Sequence, residues 1–280
     1  MTTGSAQKYL GLETYLKQMG DVGTRLTEMH ACEGAGGNLS IGLGWDTDPL
    51  AVFPESRPYD LGVDYPELSG KSFIVTGSGC RLRDIALQPA ATLGLVKVAV
   101  DGLTARLYTN PDCHFTRLTS EFNTHLMLHQ RAFSDPSVRF NAVVHGQPIY
   151  TTYLTNIRHY QDGQRLCDAI LRWQPELTMV FPLGFGYVPF QVPNSGALME
   201  MTRQVDPHHR FLVWEKHGVV ALSDQDIYQA FDYIDYIETG AHYEYLNLAG
   251  GGAGEGLLPA QIQAIRRFFN LPGASGNSAG

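Results

Sequence analysis

Three short β-prone runs, Ser72–Thr76, Leu93–Val100 and Leu103–Tyr108, stand close together in the chain and are separated by Gly and Asp turns. β-Branched and aromatic runs bounded by turn formers read as strands, and this arrangement predicts a meander. The longest apolar stretches, such as Val180–Phe190, are cut by Pro and Gly. None approaches the ~18–20 residues that a membrane span needs. The stretch Met1–Lys8 lacks the apolar segment of a signal peptide.

Helical spacing surrounds the meander. From about Gln7 to Met29, Leu10, Leu12, Tyr15, Leu16, Met19, Val22, Leu26 and Met29 recur at the intervals of one apolar helix face. Glu33–Ile41 reads as a glycine turn entering a strand, and Asp46–Ser69, rich in Pro and Asp, as an excursion with little regular structure. Thr119-Ser120-Glu121 opens a helix to about Ala132, with Ser120 a good N-cap. Asn141–Val144 follows as a buried strand, then helical segments around Ile149–Tyr160 and Leu166–Trp173. Strands are expected at Thr178–Phe181, Phe211–Trp214 and Val219–Leu222, and helices at Asn194–Val205, Asp224–Leu246 and Pro259–Asn270. Hairpin-like strands flanked by helices predict an α/β fold: a single domain over residues 1–270 with a mostly antiparallel central sheet, and a loose tail at 271–280.

A net charge of -8 without any basic run argues against nucleic acid as a partner. Cys32, Cys80, Cys113 and Cys167 are widely spaced and form no Cys-x-x-Cys pair, which reads as reduced thiols in a cytoplasmic protein.

Several residues could carry chemistry. His145 ends the apolar run Asn141–Val144, and His217 sits beside Phe211–Trp214 and before Gly218. Two strand-end histidines far apart in sequence can converge on a metal; each can equally be a plain hydrogen-bonded residue. Glu121, in the first turn of its helix, favours the helix dipole whether or not it has a catalytic task. His125 and His129 continue the Glu121 face at four-residue steps, but Leu126, Met127 and Leu128 mark that helix as buried, so both read as packing or supporting residues. Gly36–Ser40 and Thr76–Gly79 are glycine-rich turns, either anion cradles or ordinary turns. Neither contains a Gly-Lys-Ser/Thr sequence.

Taken together, these elements resemble the class II aldolase family, and within it the rhamnulose-1-phosphate aldolase branch. The resemblance runs from about residue 10 to 270 and rests on short motifs in one order. They are Gly36-Gly37-Asn38-Leu39-Ser40, Phe73–Gly79, Leu93–Val98, Thr119-Ser120-Glu121, Val180–Gly186, Val188–Pro193, and Val213-Trp214 before His217-Gly218. It implies a metal-dependent lyase that cleaves L-rhamnulose 1-phosphate to dihydroxyacetone phosphate and L-lactaldehyde. By position it assigns Glu121 as the acid–base group, and Gly37, Asn38, Ser78, Gly79, Thr119 and Ser120 to the substrate phosphate. His145 and His217, with Gln147, would hold one divalent ion per chain, zinc by expectation. The family usually has His where Gln147 stands and Asn where Ala35 stands. The resemblance further implies a homotetramer in which Glu176 reaches a neighbouring site, although a solvated loop acid after Pro175 is an equal reading. Another sugar-phosphate aldolase, a pentulose-phosphate 4-epimerase, or an adducin-like binding protein would fit the same fold.

Overall fold

Period-two alternation on two central strands sorts this chain into layers. The computed structural model describes residues 10–273 of the 280-residue chain. In chain order its elements are α1 (Leu12–Glu28), β1 (Asn38–Leu43), β2 (Glu55–Tyr59), β3 (Ser72–Thr76), α2 (Pro89–Thr92), β4 (Leu93–Val98), β5 (Ala105–Thr109), α3 (Phe122–Phe133) and β6 (Phe140–Gly146). They continue with α4 (Ile149–Leu154), α5 (Gly163–Leu171), α6 (Pro175–Val180), β7 (Gly186–Val188), α7 (Gly196–Gln204), β8 (Phe211–Trp214), β9 (Gly218–Ser223), α8 (Ile227–Ala249) and α9 (Pro259–Phe268). The described strands form one sheet in the order β2-β5-β4-β3-β1-β6-β9-β8-β7, antiparallel throughout except between β7 and β8.

On β1, Leu39, Ile41 and Leu43 face the main core, as do Phe140, Ala142 and Val144 on β6. That core also takes the α1 stripe Tyr15, Leu16, Met19, Val22 and Leu26, and Ile227, Ala230, Ile234 and Ile237 of α8. Each Val, Leu, Ile, Met or Phe among them contributes about 1.5–3 kcal/mol when fully buried. Successive strand residues point to opposite faces, so Asn38, Ser40, Asn141 and His145 turn the other way. There they meet α3, whose Met127 and Leu128 pack with Val143 and Trp214. A stripe of polar residues is thus enclosed between two strands and a helix.

The meander β3-β4-β5 and the single α/β domain agree with the sequence reading. Three expectations are corrected. Thr178–Phe181 is not a strand: Pro175 at the first helical position starts α6, and Leu177 is buried. The excursion Asp46–Ser69 contains β2, an exposed edge strand whose Pro58 is tolerated because an edge leaves one ladder side unused. Ser120 does not cap α3; its hydroxyl donates to Asn194 Oδ1 and Glu121 holds the N-cap position. Helix α1 begins at Leu12; Gln7–Tyr9, and most of the expected tail, lie outside the described residues. Among those described, no helix is long and apolar enough to cross a membrane.

Candidate metal and anion site

The antiparallel register of β1 and β6 pairs Asn38 with His145 at one end of the sheet. At that same end β3 finishes, and the segment before α3 runs beside it through a Gly77–Leu118 bridge and a Thr119 N–H to Thr76 carbonyl bond of 3.0 Å. This approach delivers Glu121 over Asn38. A Cβ at Gly77 would lie 2.1 Å from the Phe115 ring, so only glycine lets the two segments come this close. His217 enters from the tight turn between β8 and β9.

Glu121, His145 and His217 bring one ligand atom each to within 4.8 Å of one another. The His145 Nε2 lies 3.4 Å from Glu121 Oε2, and the His217 Nε2 lies 3.3 Å from Glu121 Oε1. Asn38 Nδ2 donates to Glu121 Oε2 at 2.8 Å. The His145 Nδ1 lies 2.8 Å from the Val219 carbonyl, which can only accept, so Nδ1 carries a proton; Nε2 lies 2.9 Å from Gln147 Nε2, an amide nitrogen that can only donate, so Nε2 presents its lone pair. Burial pushes His217 down to about 4, so this ring is neutral near pH 7. Two imidazole nitrogens and a carboxylate then face a common point. Gln147 turns its amide nitrogen to the cluster, while the side-chain oxygens of Gln147 and Asn38 are buried without a donor. Such a set of nitrogen and oxygen acceptors fits a divalent cation. Trp214 backs both rings, 5.0 Å from His145 and stacked 5.2 Å from His217.

Beside the cluster lies a cleft of about 220 Å³. Its walls include Gly37, Asn38, Ser78, Gly79, Thr119 and Ser120, so every residue expected to hold phosphate is brought together. Among the described residues the Ser78 hydroxyl has no partner and no Lys or Arg lines the cleft. An anion here would rest on neutral donors next to a cation. A second cavity, about 720 Å³, shares Gln147 and His217 with this cleft. A larger cavity of about 1080 Å³ contains none of the cluster residues.

Below the cluster, the Ser40 hydroxyl sits 2.7 Å from both His125 Nδ1 and His129 Nε2, and His129 Nδ1 is 2.8 Å from Asn141 Oδ1. Both histidines are packing residues, as their helix predicted. Asn141 Oδ1 accepts from His129, whose Nε2 then accepts from Ser40, which accepts from His125; each ring is a single neutral tautomer. Burial lowers His129 from its ordinary 6.5 to about 3 and His125 well below that ordinary value. Above pH 6.5 neither folded nor unfolded chain holds the extra proton. Between 6.5 and about 3 only the unfolded chain binds it, so stability falls as pH falls. Moving from pH 7.5 to 5.0 should cost roughly 2 kcal/mol through His129 alone, read from denaturant midpoints. A flat stability across that interval would mean that the folded ring takes the proton.

Glu176 stands apart, exposed in the first turn of α6 and outside the cleft of its own chain. Asn194, which joins the cleft wall and binds Ser120, was not signalled by any motif; its left-handed φ of 63° became visible only in the fold.

The family description "Class II Aldolase and Adducin N-terminal domain" matches residues 17–245. The rhamnulose-1-phosphate aldolase of Bacteroides thetaiotaomicron is 27% identical over 92% of this chain and 94% of its own length. That of Listeria monocytogenes is 27% identical over 94% and 95%. A solved structure of a sugar-phosphate aldolase from Thermotoga maritima superposes with a TM-score of 0.70 at 25% identity, over 86% of this chain and 97% of that one.

Proposed function

The chain belongs to the class II aldolase and adducin family, and from that premise we propose that it is a lyase cleaving L-rhamnulose 1-phosphate to dihydroxyacetone phosphate and L-lactaldehyde. The observation that carries this reading is the meeting of Glu121, His145 and His217 beside a cleft lined by Ser78, Asn38 and Thr119. The near full-length similarity to two rhamnulose-1-phosphate aldolases supports the choice of sugar.

His145, His217 and Glu121, with Gln147 beside them, would hold the divalent ion, zinc on the strength of the two imidazoles. When bound, such an ion supplies Lewis-acid stabilisation of the negative charge left on the three-carbon fragment. Breaking C3–C4 leaves the electron pair on C3. The C4 hydroxyl passes its proton to the Glu121 carboxylate as C4 becomes the aldehyde carbon, and Glu121 then delivers a proton to C3, so no net proton is consumed. Asn38 holds the carboxylate in position for that delivery. The phosphate end occupies the smaller cleft, and the aldehyde half points into the second cavity past His217.

Release of dihydroxyacetone phosphate from L-rhamnulose 1-phosphate tests the whole reading; turnover of a different ketose phosphate alone would redirect it to another branch. Within it, Ser78→Ala, in the loops that line the phosphate cleft, should remove a hydrogen bond to a charged group. Such bonds are worth about 1.5–3 kcal/mol, which corresponds to a fall in kcat/KM of tenfold or more. The unphosphorylated sugar should be affected far less. Equal losses on both sugars would assign these loops to the fold.

In the same reading four chains assemble around a fourfold axis and Glu176 contributes to a neighbour's site. The exposed acid on α6, distant from its own cleft, supports this placement. Mixing Glu121→Gln with Glu176→Gln chains should then restore activity, whereas a fully active monomer in light scattering would exclude the shared site.

A further inference from the structure

The turn that carries His217 is strained. His217 N–H bonds back to the Trp214 carbonyl at 3.0 Å, closing a four-residue turn whose third member, Lys216, has a φ of 58°. A tight turn with a positive φ at this position normally takes Gly or Asn, because a Cβ crowds the backbone there. Two residues on there is no slack either: a Cβ at Gly218 would stand 2.4 Å from the Gly146 carbonyl. A lysine kept in the left-handed region needs an external restraint.

That restraint is visible. The Lys216 N–H donates to Thr155 Oγ1 at 2.9 Å. Thr155 is fully buried at the C-terminal end of α4, and its own proton goes to the Thr152 carbonyl at 2.7 Å. The hydroxyl is therefore committed in both directions. The other end of α4 is also clamped, since buried Glu238 accepts the N–H groups of Tyr150 and Thr151, each at 2.8 Å. Helix α4 begins two residues after Gln147 and ends on the turn before His217. It thus spans the two segments that supply the cluster.

We propose that Thr155 is a positioning residue for the metal site, its hydroxyl locking the left-handed turn at Lys216 so that His217 is held against His145 and Glu121. This rests on the metal-dependent reading above. It concerns a residue outside both the cluster and the cleft.

The test measures zinc affinity by chelator competition and the thermal midpoint of the metal-free protein. Thr155→Val removes the acceptor at constant shape, and should weaken zinc binding about tenfold, the lower end for loss of a group that orients a ligand. Thr155→Ser should restore affinity to within about twofold, since it returns the hydroxyl. In a Lys216→Gly background, where glycine takes the left-handed conformation unaided, Thr155→Val should lose most of its effect on affinity. A purely structural Thr155 would lower the thermal midpoint and leave zinc affinity unchanged, which overturns the proposal. So would an equal affinity loss in both backgrounds. Should Thr155→Val not fold, Thr155→Ala carries the same comparison; failure of both to fold, with or without Lys216→Gly, assigns Thr155 to the fold and also overturns it. A wild-type chain that binds no divalent ion would overturn the metal reading itself, and is distinguished by failing before any variant is made.

Discussion

Glu121→Gln should cut cleavage of L-rhamnulose 1-phosphate by about 10²–10⁴-fold, the usual contribution of a general acid–base group. The carboxylate is 5% exposed and accepts a hydrogen bond from Asn38, and its two oxygens face His145 and His217. A glutamine at this point keeps the size of the side chain and can still accept from Asn38. It cannot deliver a proton to C3. The loss should therefore appear in kcat with saturating metal present, while the thermal midpoint moves little. Exchange of the dihydroxyacetone phosphate hydroxymethyl proton into deuterated solvent isolates this step from C–C cleavage, and should fall in parallel. Exchange at the wild-type rate with cleavage abolished would assign the proton to another group and leave Glu121 as a ligand only.

Legibility followed the range of the interactions involved. Glycine turns, strand-end histidines and the start of α3 are local features, so Gly37, Asn38, Ser78, His145, His217 and Glu121 could be picked out from neighbours in sequence. Their convergence could not, because it depends on the register that sets Asn38 opposite His145. The strand β2 was invisible because its residues are exposed and polar, and only pairing with β5 makes them a strand. The short strand β7 depends likewise on β8. At α6 the local signals competed: Thr178–Phe181 has β propensity, but Pro175 fixes a helical start and Leu177 is drawn into the core. Ser120 looked like a cap by position, and lost that role to a partner, Asn194, far along the chain. Thr155 gave no signal at all. Its importance comes from the strained lysine it touches, and backbone strain is a property of the fold.

His145→Ala should remove both the bound ion and turnover. Among the candidate ligands, His145 is the one whose tautomer is fixed by a backbone carbonyl, so its Nε2 lone pair is aimed before any ion arrives. Gln147, by contrast, turns its amide nitrogen to the cluster, and an amide oxygen is a weaker donor to zinc than imidazole. Losing His145 leaves Glu121 and His217 without a third strong ligand, and metal content by elemental analysis should drop from one ion per chain to near zero. The stabilisation that the ion gives to developing charge is worth several kcal/mol, so dihydroxyacetone phosphate release should fall about 10³-fold or more. Chelation of the wild type should produce the same loss, reversible on adding zinc back. The ring is 1% exposed and packs on Trp214, so the variant will also lose some stability. Circular dichroism and the metal-free thermal midpoint separate that effect from ion loss. His129→Gln is the control: it removes an equally buried imidazole 2.7 Å from Ser40, outside the cluster, and should keep one ion per chain. If His145→Ala retained its ion and its turnover while His129→Gln lost both, the metal centre would lie deeper, on the Ser40 side of α3, and the roles given to His217 and Thr155 would fall with it.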